Sequence, residues 1–127
     1  MTDNDDILFE RLGGAEAVAE IVRDMYERVL SDPELAPFFR ETSMERLRRM
    51  QYQFIASALD GPVSYTGAEL TSVHSGRGIK RQHFSKFCGH FGDAMDARGV
   101  EAVLIDQALG RLAIYADRIT GDANVDG

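Results

Sequence analysis

The sequence predicts an all-α domain, and three observations carry that prediction. Apolar residues recur at three- and four-residue intervals through most of the chain. No stretch alternates apolar and polar residues convincingly enough for a strand. Glycines and prolines gather at a few points that cut the chain into helix-length pieces. The 127 residues fit one domain, with a core expected over about 7–119 and a polar, frayed tail over 120–127. A chain of this size hides roughly two thirds of its unfolded surface on folding. Four substantial helices and two or three short ones can therefore share one core.

The elements follow in order. Val18, Val22, Met25 and Val29 stand at helical spacing within 14–30. Ser31 or Asp32 can cap a short helix with Pro33 at its first position, and Pro37 limits that helix to a turn or two. Ser43 opens a helix over 43–59, and "DGPVSYTG" (60–67) breaks it. A short helix around 68–75 carries His74 and ends at "GRG", where Gly76 or Gly78 is free to take positive φ. Phe84, Phe87, Cys88, Phe91 and Met95 form a stripe along a helix over 80–98. Gly99 makes a tight break. Ile105, Leu109, Leu112, Ala116 and Ile119 are then in register along a last helix over 100–119.

Charge and motifs narrow the function. A net charge of −7 and a pI near 4.9 argue against a nucleic-acid binder, which needs a basic face to release counterions. No run of about 18 apolar residues is present, so no membrane span is expected. The acidic start "MTDNDD" does not read as a secretory signal. The single cysteine, Cys88, has no partner for a disulfide and cannot build a zinc site alone. A reducing cytoplasm is the expected compartment, and a small buried residue is the expected role. HExxH, CxxC, GxGxxG, Walker A and GxSxG patterns are all missing, which leaves zinc hydrolases, nucleotide binders and serine hydrolases without support.

Polar residues in apolar places are more telling. With Gln51 set at zero on its helix, Met44 and Ile55 lie on one side within about 40° and Leu47, Phe54 and Ala58 on the other within about 60°. Gln51 is thus at the middle of the apolar stripe, where an amide without a partner costs roughly 2–7 kcal/mol. Tyr26 sits beside Val22 and Leu30 at the edge of its own apolar face, and its hydroxyl needs a partner. The two can satisfy each other, or both can face a ligand. His74 taken alone fits a half-exposed histidine near a helix C-terminus. His83 and His90 are seven residues apart, about 10.5 Å along a helix axis, too far to share one metal. They read as solvated flank positions.

Taken in order, "LFERLGG" (8–14), the tyrosine of "MYERVL", "PFF" ahead of "TSMERLRRMQ", the "YTG" loop, "VHSGRGI" and "HFSKFCGHF" resemble a truncated haemoglobin, most like group I. The resemblance runs from about Ile7 to Ile119. It implies a two-over-two globin sandwich around one haem b, with Gly13-Gly14 and the glycines of 61–67 matching the family's glycine motifs. It implies that His74 is the proximal iron ligand, that Phe39 wedges the haem, and that Tyr26 and Gln51 donate hydrogen bonds to a distal ligand. Met44, Leu47, Phe54, Ile79 and Phe84 are the implied apolar haem contacts. Leu47 stands where other globins have a distal histidine. Arg77 is the implied propionate partner, with Arg48 and Lys80 as substitutes. Met50 stands where relatives often carry a basic residue for a propionate. Phe87 and Phe91 are bulky enough to narrow an apolar gas tunnel.

The function the resemblance implies is reversible, tight O₂ binding at a pentacoordinate iron, as in oxygen transport, with NO and CO as further ligands. Dioxygenation of NO to nitrate, and hence nitric oxide detoxification, would follow if an external reductase restored ferrous iron. Two other readings stay open at this point: a non-catalytic gas sensor or O₂ store, and a haem-free helical interaction module.

Overall fold

The computed structural model describes residues 7–39, 43–61 and 79–116, with Met44 described by its backbone alone. Among these residues all regular structure is helical. The chain begins with one turn, α1 (Leu8–Arg11), which buries Leu8 and Phe9. Phe9 N donates to Leu59 O at 3.0 Å, which ties the start of the fold to the end of a later helix. The Phe9 ring lies over Gly61, where a Cβ would come within 2.6 Å of it.

Helix α2 (Gly14–Leu30) has the bounds its apolar spacing predicts. It starts from Gly13 at φ +116° and Gly14 at φ +82°, left-handed conformations that side chains resist. A Cβ on Gly13 would also stand 2.5 Å from Ala17 Cβ. The helix buries Val18, Ile21, Val22, Met25, Tyr26 and Val29. Full burial of an aliphatic side chain is worth about 1.5–3 kcal/mol, so this one face supplies much of the core. Tyr26, expected at its edge, is only 1% exposed and lies well inside.

The segment after α2 differs from its sequence reading. Asp32 Oδ1 accepts from Glu34 N at 2.9 Å, and its carbonyl accepts from Leu35 N and Ala36 N. The result is a turn followed by a single 3-10 turn, Ala36–Phe39, with Pro37 inside it. No α-helix starts at Pro33. Pro37 has no N–H to give, so it does not interrupt a 3-10 turn at its first bonds.

Ser43 does cap α3 (Met44–Ala58), its Oγ accepting from Arg46 N at 3.4 Å. α4 (Arg81–Ala97) buries Phe84, Phe91, Ala94 and Met95, whereas Phe87 and Cys88 of the expected stripe are only half-buried. Burial still pushes the Cys88 thiol up to about 11. Gly99 turns the chain at φ +80°. In α5 (Ala102–Ala113) the buried line is Leu104, Ala108 and Leu112. Ile105 and Leu109, expected in register along the buried stripe, are only partly buried and pack beside it. Ile119 lies outside the described residues.

The helices pack as two pairs. α2 lies on α3 and on α4, α4 lies on α5, and α3 lies on α5. Phe54 of α3 and Tyr115, just past the end of α5, meet edge to face at 5.4 Å. This is the two-over-two arrangement. Polar ties reinforce it. Arg111 on α5 donates to Ala58 O at 3.3 Å and pairs with Asp60 at 2.7 Å, at the point where Asp60 ends α3 with φ +67°. Across the other junction, Asp32 receives His90 Nε2 at 2.9 Å and Lys86 Nζ at 3.1 Å from α4. Lys86 also engages Glu34.

Candidate functional site

The candidate site lies between α2, α3, the 3-10 turn and the start of α4. Tyr26 comes from α2 at a position where the helix faces inward. Its ring meets the ring of Phe39 edge to face, centroids 5.8 Å apart and planes at 86°. That contact sets the half-buried Phe39 at the end of the Ala36–Phe39 turn and closes one wall. Leu47, Gln51, Phe54 and Ile55 come from the inward face of α3, all buried. Ile79 packs against the core just before α4, and Phe84 is buried one turn into it.

Gln51 is where the helical wheel put it, among apolar neighbours and 9% exposed. Its Oε1 is shut away from solvent and accepts no hydrogen bond. So Tyr26 does not satisfy it, and of the two alternatives the sequence left open, mutual satisfaction through this oxygen is not realised. A buried amide oxygen left idle costs about 1–3 kcal/mol. Such a cost persists where the site is built for something other than the bare fold. Phe39, Leu47, Phe54, Ile79 and Phe84 belong to or pack against the one core that holds Tyr26, with Gln51 buried on the inward face of α3, and apolar side chains with a phenol and an amide among them suit a flat apolar ring system that carries a small polar ligand. The residues described thus fit a haem.

The remaining assignments divide by where they fall. His74 and Arg77 lie outside the described residues, as does the Met44 side chain. Arg48 and Lys80 are exposed, as a cation reaching for a propionate at the rim must be. Met50 is half-buried. Phe91 is fully buried in α4, and Phe87 stacks on Phe84 at 6.3 Å with planes at 18°.

Two histidines are corrected. Neither His83 nor His90 is a solvated flank residue; both are half-buried and bonded. His90 binds Asp32, and that contact, with the Glu34 amide and the Lys86 ammonium, holds the Asp32 carboxyl well below the usual carboxylate range. Lys86 is raised in turn, by Glu34 first and Asp32 second. His83 Nδ1 accepts from Lys80 N at 2.9 Å, and its ring packs edge-on against Phe38 at 4.9 Å. Nothing in the local sequence announces His90–Asp32, because the partners are 58 residues apart. The His83 cap was legible: it stands three residues after the N-cap, Lys80, where a side chain reaches back to the N-cap amide.

Comparison with known proteins agrees with the fold. A family model described as bacterial-like globin matches residues 7–121. The group 1 truncated hemoglobin GlbN of Mycolicibacterium paratuberculosis is 44% identical over 117 residues, 91% of this chain and 86% of that one. The group 1 truncated hemoglobin GlbN of a Nostoc species is 32% identical, over 83% of this chain and 89% of that one. Among solved structures, the truncated hemoglobin of Tetrahymena pyriformis in its Fe(III) form superimposes with a TM-score of 0.85 at 26% identity, covering 90% of this chain and 97% of that one. The 2/2 hemoglobin of a Synechococcus species, in the cyanomet state with covalently attached heme, gives a TM-score of 0.82 at 25% identity, covering 91% of this chain and 98% of that one.

Proposed function

This chain belongs to the bacterial-like globin family, as a truncated haemoglobin of the group 1 kind, and from that premise we propose that it binds O₂ tightly and converts NO to nitrate. Haem-based binding of diatomic gases is the family's common property, with one haem b to the chain. In our reading His74 would hold the iron. Phe39, Met44, Leu47, Phe54, Ile79 and Phe84 enclose the ring, and Arg77 meets a propionate. When bound, the haem supplies an open iron position and the one electron that turns one O₂ and one NO into one nitrate, an electron that an external reductase then replaces.

The chain's own part is to hold the ligand and keep water out. The observation that carries the reading is the Gln51 amide, buried on the slot with an idle oxygen. Its Nε2 and the Tyr26 hydroxyl are donors toward a small ligand that bears partial negative charge. A hydrogen bond to such an acceptor is worth about 1.5–3 kcal/mol. Two of them slow release by about 10²–10⁴-fold at 1.4 kcal/mol per tenfold. Leu47 presents no ligating atom, which keeps the distal iron position free of a protein ligand from that residue. No described helix is long and apolar enough to cross a membrane, and a reducing cytoplasm, where Cys88 stays a thiol, suits the proposed chemistry.

Mixing the O₂-loaded protein with NO under a supply of reductant tests the proposal. Nitrate should form in one-to-one yield with NO consumed. Release of superoxide, or no nitrate, would reduce the role to gas storage or sensing.

A further inference from the structure

The start of α4 is capped in an uncommon way. His83 N donates to Lys80 O at 3.0 Å, and Lys80 N donates back to His83 Nδ1 at 2.9 Å. The second bond is accepted by the Nδ1 lone pair. The same ring packs edge-on against Phe38, centroids 4.9 Å apart and planes at 68°. Phe38 precedes Phe39, whose ring meets Tyr26. Lys80 follows Ile79. His83 therefore touches two chain segments that are far apart in sequence and that each lead into a wall of the slot.

We infer that His83 is a positioning residue that clasps the Ala36–Phe39 turn to the entrance of α4, and that protonation of its ring opens the clasp. This rests on the proposed role of Phe39 and Ile79 as haem contacts. The physical reason is directional. A protonated imidazole has no acceptor at Nδ1, and its N–H there faces the Lys80 N–H. The ring must then turn, and it cannot keep the Phe38 contact and the cap geometry together. Among the described residues, the charged groups on the elements around it are Lys80, Arg81 and Lys86 of its own helix region, and Asp32 and Glu34 before the 3-10 turn. Lys86 engages both of those carboxylates. The 3-10 turn itself brings only Phe38, Phe39 and their neighbours Ala36 and Pro37, none of them titratable.

The test uses the haem-loaded protein and three variants. His83→Phe keeps a ring and loses the acceptor. His83→Gln keeps an acceptor at the third helical position, as capping boxes do, and loses the ring. Phe39→Ala tests the wedge. Haem transfer to a scavenging apoprotein and hydrogen exchange at the Lys80 amide are both followed from about pH 8 to about pH 6, with the His83 ring resonance recorded alongside. Both His83 variants should lose haem at least about threefold faster than the parent at pH 7, since each breaks one link; a threefold change is about 0.7 kcal/mol. Lys80 exchange should rise in His83→Phe and hold in His83→Gln. In the parent, haem loss should quicken and the protection of the Lys80 amide, taken relative to base-catalysed intrinsic exchange at each pH, should fall with the same midpoint as the His83 resonance, and in His83→Gln that step should be gone. Haem loss within twofold of the parent in both His83 variants overturns the inference, as does a pH step that survives in His83→Gln. If Phe39→Ala also leaves haem loss unchanged, the wedge itself is wrong. If only Phe39→Ala speeds it, the wedge stands and the clasp alone fails.

Discussion

At the scale of single residues, Gln51 is a site where folding and binding pull in opposite directions. Its Oε1 is buried and idle, and an idle buried acceptor costs about 1–3 kcal/mol. Gln51→Leu should therefore raise the stability of the haem-free protein by about that much, read as a higher urea midpoint, while O₂ leaves the loaded protein faster. A lower midpoint would mean the amide serves the fold. Tyr26→Phe removes one donor and almost no volume, so the core that holds its ring stays packed. O₂ dissociation measured by stopped flow should speed up at least about tenfold, the equivalent of about 1.4 kcal/mol. An unchanged rate would show that the hydroxyl works only inside the protein.

At the scale of elements, the fold was more legible than the site's supports. Helix α2 was readable to the residue because its apolar spacing is unbroken and two glycines in left-handed conformation mark its start. Gln51 stood out for the same reason: a polar residue at the centre of a regular stripe is visible by contrast. What was not readable depends on tertiary choice. Whether α5 buries Ile105 or Leu104 is a rotation of the helix about its axis, which is set by packing against other helices and not by its own spacing. The Pro37 segment became a 3-10 turn because Asp32 supplies side-chain and main-chain acceptors to the next residues. His90 was misread because a wheel shows which face a residue occupies and says nothing of what another segment brings to it; His83 was misread because a wheel does not show a side chain reaching back to its own helix start. His74 is the element-scale prediction that carries most weight. His74→Ala should abolish tight haem binding, seen as loss of the Soret band after gel filtration; full retention would remove it as the proximal ligand.

For the whole molecule, the Asp32 tie links acid sensitivity to architecture. The Asp32 carboxyl is held below its ordinary value of 3.8. A depressed carboxylate contributes stability that is fully present above the ordinary range and drains away as pH falls through the folded value. The unfolding midpoint should thus decline as pH drops from about 4 downward, and Asp32→Asn should flatten that decline while lowering stability at neutral pH. An acid limb of unchanged steepness would show that other carboxylates govern it. Because Asp32 joins the end of α2 to the middle of α4, its loss should slacken the pair that carries Tyr26 on one side and Phe84 on the other.

Arg111 sets an order of events. It belongs to the last described helix, yet it grips Ala58 O and Asp60, the point at which the chain leaves α3 on its way to His74. A nascent chain that has not yet reached residue 111 waits with that exit braced by Phe9, through the Leu59 carbonyl and Gly61. The Arg111 grip is added once α5 is made. The polar tie at Asp32 needs only α4 and can form sooner. It gives that waiting chain one fixed corner.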